Sequence, residues 1–259
     1  MNKITDAELK RSVPAPLLAL YGLGTILGAG IYVLIGEIAG ETGIYAPLHF
    51  LLASIVAAFT AFSFAELAVR LPRSGGPVAY VSEAFGCRWL SIITGWMIAA
   101  TGIVSAATIT TGFAGYFQIF LSWPDLPLMI GLVLLLGSIA AVGMKGTAWF
   151  MGITTVAGVS GLIIILMITA GNFSELPGRL SEAQPLSSSS TLSGIVLGAF
   201  LAFYAYIGFE DIVHVSEEAK NVSNAMPLAI LFALIVSLFF YITVSMGAVL
   251  TLSAEALAD

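Results

Sequence analysis

Gly28-Ala29-Gly30-Ile31 interrupts the apolar stretch from Leu17 to Ala39, and Ala205-Tyr206-Ile207-Gly208-Phe209-Glu210 interrupts the stretch from Ile195 to Val215. Both stretches are long enough to cross a bilayer, which takes about 20 predominantly apolar residues. Lipid offers a peptide group no hydrogen-bond partner, so a helix that breaks inside a membrane must line a cavity or be shielded by protein. Two broken helices in corresponding places are the sequence pointer to a transporter's binding site.

Composition frames the rest. Hydrophobic residues make up 59% of the 259 residues and charged residues 9%, against about 25% charged in an ordinary soluble domain. The chain reads as an all-α integral membrane protein. Its net charge of −6 speaks against a nucleic-acid partner, which needs a basic face. One cysteine, Cys87, leaves no internal disulfide, and two histidines, His49 and His214, are too few for a histidine metal cluster. No metal, cofactor or catalytic residue is expected. The HExxH and GxSxG patterns are absent, so an enzyme is not the reading.

Seven spans are predicted, at roughly 15–39, 46–70, 88–117, 127–144, 148–170, 192–215 and 226–251. With the N-terminus in the cytoplasm, Lys3, Lys10, Arg11, Arg70, Arg73, Arg88, Lys145 and Lys220 fall inside and only Arg179 outside. That asymmetry is the positive-inside pattern, and it predicts a multi-pass protein of the cell (inner) membrane. The expected organisation is one permease domain over 1–259. A first five-helix repeat covers about 15–171, and a second, incomplete repeat begins at about 192–251. An odd repeat length inverts the second copy, so spans one and six cross in opposite directions.

The chemistry expected at the breaks follows from helix ends. Past the first break a new half-helix begins with unbonded amides at the positive end of its dipole. The amides of Gly28, Ala29 and Gly30 are therefore candidates for a carboxylate. Carbonyls of Ile26 and Leu27, and of Tyr204, Ala205 and Ile207 with Gly208 beside them, suit an ammonium group. Together they describe a site for a zwitterion, most simply an α-amino acid. Gly22 and Gly24 read as packing residues. Glu210 is weighed equally as a helix cap and as a coupling group, and Asp211 reads as a cap. Thr101, Ser105 and Thr108 share a face of span three, and backbone bonding is their default reading. Glu66, beside Arg70, reads first as a surface pair and second as a gate.

Three motifs carry a family resemblance. Gly24-Thr25-Ile26-Leu27-Gly28-Ala29-Gly30-Ile31-Tyr32-Val33 resembles the first-helix signature of the amino acid–polyamine–organocation permeases. Ala65-Glu66-Leu67 with Pro72-Arg73-Ser74-Gly75-Gly76 resembles that family's motif at the inner end of helix two. Tyr206-Ile207-Gly208-Phe209-Glu210, followed by Glu217-Glu218 and Asn221, resembles its sixth-helix signature.

The resemblance implies secondary transport of amino acids or related amines by alternating access, with a coupling proton or an exchanged amino acid. It implies a carboxylate on the Gly28, Ala29 and Gly30 amides and an amino group on the Ile26, Tyr204 and Ile207 carbonyls. It makes Tyr204 a gating aromatic and Glu210 a proton-linked gate. The chain departs from the pattern in having seven expected helices where the family has about twelve. It also places Gly158 where some proton-coupled relatives carry lysine, Val222 and Asn224 where relatives carry proline and a basic residue, and Val78 at a frequent tyrosine position. Alternatives are a truncated permease without transport of its own and a seven-helix receptor. For a retinal pump, the segment Met226 to Thr251 lacks the required lysine.

Overall fold

A computed structural model of the chain describes residues 11–179, 188–253 and 256–257. The first span is two helices, α1 (Ala15–Leu27) and α2 (Ala29–Thr42), meeting at Gly28. Then come α3 (Ala46–Arg70), α4 (Gly76–Phe85), α5 (Arg88–Phe120), α6 (Asp125–Ala141) and α7 (Met144–Thr169). A short α8 (Leu176–Arg179) precedes α9 (Ser189–Tyr204), and α10 (Val222–Thr251) closes the described bundle. Between α9 and α10 the chain forms a turn and then a 3-10 segment, Phe209–Glu218. The inner half of span six is thus a tighter helix than the α-form expected there.

Among the described residues, six helical stretches are long and apolar enough to cross a membrane. Span four is a shorter apolar helix, at the lower end of the roughly 17–25 residues that a crossing takes. Its helix α6 has 17 residues, which rise about 26 Å against a hydrocarbon core of about 30 Å. Its ends are fixed by Pro124 before Asp125 and by Gly143 at φ 106°, where the chain turns into α7.

Helices in lipid gain little from hiding apolar surface from one another. Close approach of small residues supplies the packing instead. α3 shows the device: Ala53, Ala57, Ala61 and Ala65 recur every fourth residue and are buried. α10 answers with Ala225, Ala229, Ala233, Ser237, Tyr241 and Ser245, also buried. α10 packs on α3, α1 and α7, while α9 packs on α3 and α2. By contrast α5 buries only Thr110 and Ala114, and α6 buries nothing. The core therefore lies among α1, α2, α3, α9 and α10.

One end of this core is strapped shut by backbone. The Val13 amide donates to the Glu218 carbonyl at 3.0 Å, and the Lys220 amide donates to the Val13 carbonyl at 2.9 Å. Ser74 Oγ donates to Glu217 Oε2 at 2.9 Å, and His214 Nδ1 lies 3.0 Å from the Ser74 carbonyl oxygen. The stretch before α1, the α3–α4 loop and the turn before α10 thus share one end, together with Arg73 and Lys220. At the other end Asn172 Nδ2 donates to Thr251 Oγ1 at 2.8 Å. Lys3 and Lys10 lie outside the described residues, as does the middle of the loop after Arg179.

Candidate binding site at two facing helix breaks

The first break is a single residue. Gly28 has φ −37° and ψ −137°, and it is at once the last cap of α1 and the first cap of α2. No side chain caps the start of α2. The amides of Gly28, Ala29 and Gly30 thus open a helix at its positive dipole end.

The second break is longer. α9 ends at Tyr204, and the amides of Ala205, Tyr206 and Ile207 fold back onto the carbonyls of Ala202, Phe203 and Tyr204. Gly208 then takes φ 129°, a region that an L side chain rarely enters. The Gly208 amide donates to Glu210 Oε2 at 2.9 Å. Glu210 thus engages the amide of the residue before the 3-10 segment, while no side chain caps the segment itself.

The breaks touch. A methyl group built on Gly30 would lie 2.8 Å from the Ala205 Cα, so only hydrogen fits there. A methyl on Gly208 would lie 2.6 Å from the Thr25 carbonyl oxygen. Thr25 Oγ1 lies 3.0 Å from the Gly208 carbonyl and 2.9 Å from the Gly22 carbonyl, both acceptors for its one proton. A cleft of about 130 Å³ opens between them, lined by Thr25, Ile26, Gly28, Gly30, Ser105, Ile109, Tyr204, Ala205, Ile207, Gly208 and Asp211.

Of the residues expected to hold substrate, Ile26, Gly28, Gly30, Tyr204, Ala205, Ile207 and Gly208 line this one cleft. Ala29 sits in the same backbone run as the first residue of α2. Glu66 is elsewhere: it pairs with Arg70 at 2.5 Å near the strapped end of α3, with both side chains exposed. Gly22 and Gly24 pack as expected. A methyl on Gly22 would strike Ile212, and one on Gly24 would strike Thr155. Thr101 and Thr108 bond their own helix at the Met97 and Val104 carbonyls. Ser105 alone of that stripe reaches the cleft, 3.5 Å from the Tyr204 hydroxyl.

The sequence reading missed Tyr241. Its ring is fully buried in α10, against Phe50 and Tyr206. Its hydroxyl lies 2.5 Å from the Ile26 carbonyl and 2.7 Å from the Ala205 carbonyl. Two of the carbonyls expected to be bare for an ammonium, those of Ile26 and Ala205, therefore share the single proton of one hydroxyl. Each oxygen keeps a second lone pair. The signal was present in Phe239-Phe240-Tyr241: a phenol deep in an apolar span needs a hydrogen-bond partner. Thr25 was missed for a similar reason, since a threonine hydroxyl usually satisfies itself on its own helix.

A second, larger cavity of about 470 Å³ lies on the other side of Gly28, among α1, α2, α5 and α7. Tyr32 spans it, donating to the Gly158 carbonyl at 2.9 Å, and Tyr116 donates to the Tyr32 carbonyl at 2.6 Å.

Comparison with known proteins follows the same lines. The family described as "Amino acid permease" matches residues 18–259. The methylthioribose transporter of Bacillus subtilis (strain 168) is 29% identical, with 92% of this chain and 55% of the relative covered. The human cationic amino acid transporter 4 is 29% identical, with 93% and 41% covered. The branched-chain amino acid permease BcaP of Bacillus subtilis (strain 168) is 28% identical, with 93% and 55% covered. The chain spans about half the length of these curated relatives. Two helices broken face to face in a bundle of membrane-spanning helices, and a family match from residue 18 to residue 259, place the chain in the amino acid permease family.

Proposed function

We propose that this chain forms the substrate-binding core of a secondary-active amino acid permease working by alternating access. The observation that carries the reading is the contact between the two breaks, where Gly30 meets Ala205 and Thr25 meets Gly208. A zwitterion placed there has its carboxylate on the amides of Gly28, Ala29 and Gly30, where the α2 dipole favours an anion. Its ammonium turns to the carbonyls of Ile26, Ala205 and Ile207, with Tyr241 as a fixed neighbour. Tyr204, lining the cleft from the end of α9, closes over the ligand.

Alternating access asks the breaks to flex while the packed helices stay rigid. The strap at Val13, Ser74 and Glu217 gives one end a closure that can open without unpacking α3 from α10. The names of two of the three relatives above specify amino acids, which supports that substrate class. Basic residues gathered at the strapped end support a cytoplasmic N-terminus in the cell membrane. Coupling is to a proton or to an exchanged amino acid.

Uptake of radiolabelled amino acids into proteoliposomes holding this chain, alongside a form extended to the relatives' length, tests the reading. Replacing Gly30 by leucine abolishes binding in whichever form is active, while unchanged affinity refutes the amide cradle.

A further inference from the structure

The segment after the second break is a 3-10 helix, in which side chains at i and i+3 eclipse one another. Its burial follows that period. Ile212, Val213, Val215 and Ser216 are buried, whereas Asp211 is exposed and His214 and Glu217 are half-buried. Asp211, His214 and Glu217 therefore form one file. Asp211 ends it at the cleft, and Glu217 ends it in the strap. No side chain caps the segment, so the capping role expected of Asp211 is not used.

His214 is the middle member, and its ring is closely placed. A methyl built on Gly76 would lie 2.9 Å from its Cε1 and 3.0 Å from its Nδ1. Nδ1 lies 3.0 Å from the Ser74 carbonyl oxygen. A carbonyl only accepts, so Nδ1 is assigned a hydrogen whether the ring is neutral or charged. The neutral ring then has Nε2 as its bare nitrogen, and Nε2 has no hydrogen-bond partner among the described residues. Nε2 is where a proton can add.

The surroundings favour that charge. A protonated His214 attracts both Asp211 and Glu210. Glu217 stands one turn further on, its Oε2 accepting from Ser74 Oγ at 2.9 Å. The same serine is thus held twice, by its carbonyl at His214 and by its hydroxyl at Glu217. The neighbouring elements bring few other charges. α1 brings Tyr21, which interacts with Asp211. α3 brings Glu66 and Arg70, exposed and paired with each other, and the loop after it brings Arg73, paired with Glu83 of α4. α4 also brings Tyr80, which is buried. The stretch before α1 adds the exposed Arg11, and Glu218 and Lys220 meet that stretch through their backbone. α10 has no charged side chain.

We propose that His214 is a proton-binding site that latches the strapped end. With the proton on Nε2, the bond from Nδ1 to the Ser74 carbonyl is charge-assisted and stronger, and the ring's charge lies between two carboxylates of its own face. Without it, the Ser74 loop is held by a neutral bond and by Glu217. The proton comes from bulk water and returns there, so the step needs no other donor. Asp211 ties the latch to the cleft, because the ammonium of a bound amino acid competes with His214 for the same carboxylate. This rests on the reading of the strap as one gate of a permease.

The test places spin labels at Ala84→Cys on α4 and Lys220→Cys beyond the 3-10 segment, in a Cys87→Ser background, with the full chain in nanodiscs. Double electron–electron resonance reads the closed and separated populations across about pH 5 to 8, where histidine changes charge. The closed-to-separated ratio is expected to fall about five- to tenfold as pH rises, the gap between a charged and a neutral hydrogen bond. His214→Asn keeps an amide donor for the Ser74 carbonyl but does not titrate, so its ratio should not depend on pH. Asp211→Asn should move the transition to lower pH, because the proton loses an attracting carboxylate. A pH-independent ratio in the labelled protein with His214 intact overturns the proposal, and so does pH dependence that survives in His214→Asn. An unshifted transition in Asp211→Asn overturns the link to the cleft. Binding of radiolabelled amino acids in the same nanodiscs checks the permease reading separately: its absence removes that reading, while pH-dependent spacing leaves the latch standing.

Discussion

The two breaks solve one problem in different ways. At Gly28 the chain leaves the helix for one residue, and α-helix resumes at Ala29. At Ala205–Gly208 it leaves for a full turn, enters the left-handed region at Gly208, whose amide bonds Glu210, and resumes as 3-10 helix. Neither following segment has a side-chain cap, but at the long break the Gly208 amide is engaged by Glu210, whereas no side chain engages the short break. In the proposed site the first break offers amides to an anion and the second offers carbonyls to a cation. Tyr241 joins them, with one hydroxyl against a carbonyl from each side.

This asymmetry can be broken at named atoms. The largest effect is expected from Gly208→Ala. The side chain must adopt φ 129° and meet the Thr25 carbonyl at 2.6 Å. Backbone strain alone is worth roughly 1–3 kcal/mol, so thermal unfolding in detergent should shift down markedly and binding should vanish. Gly30→Val comes next. Its clash is with the Ala205 Cα as well as its Cβ, so adding Ala205→Gly should not restore binding. Restoration would mean that the side chain alone sets the spacing.

Tyr241→Phe removes the link between the breaks. Hydrogen bonds between membrane helices are worth about 0.6 kcal/mol on average, with a maximum near 1.7. A stability loss in that range is expected, with weaker amino acid binding. Tyr206→Phe, which removes one bond to the Phe50 carbonyl, should cost stability without changing affinity. Glu210→Gln keeps an oxygen for the Gly208 amide, so a fall of less than about 1 kcal/mol is expected from the weaker hydrogen bond. Lost transport in a stably folded Glu210→Gln protein would make Glu210 a coupling group as well as a partner of that amide. The smallest effect belongs to Glu66→Gln, outside both breaks. Its exposed pair with Arg70 is worth about 0.3–0.5 kcal/mol, and transport should be unaffected.

Much of the architecture could be read from the residues. The break at Gly28 and the interruption from Ala205 to Gly208 are visible because they sit at corresponding places in two apolar runs. The packing roles of Gly22 and Gly24 follow from the use of small residues where membrane helices approach closely. Span four is legible as an apolar helix, but its ends shift from 127–144 to Asp125–Ala141 because Pro124 starts it and the turn at Gly143 follows it. The carbonyls of Ile26 and Ala205 looked bare because their donor lies at Tyr241, 215 residues from Ile26 and 36 from Ala205. Glu210 and Asp211 could not be told apart in sequence, since adjacent carboxylates differ only in where the local backbone points them.

The sequence by itself determined the membrane-spanning helical class, the places where two helices come apart and the residues small enough to let them meet. Those properties are local: apolar length, glycine's freedom and the free amides of a helix end. Only the tertiary structure decided that the breaks face each other, that Tyr241 bridges their carbonyls and that Asp211 rather than Glu210 opens to the cleft. Such pairings join residues far apart in the chain, and they arise from the stacking of α3, α9 and α10, which no single segment encodes.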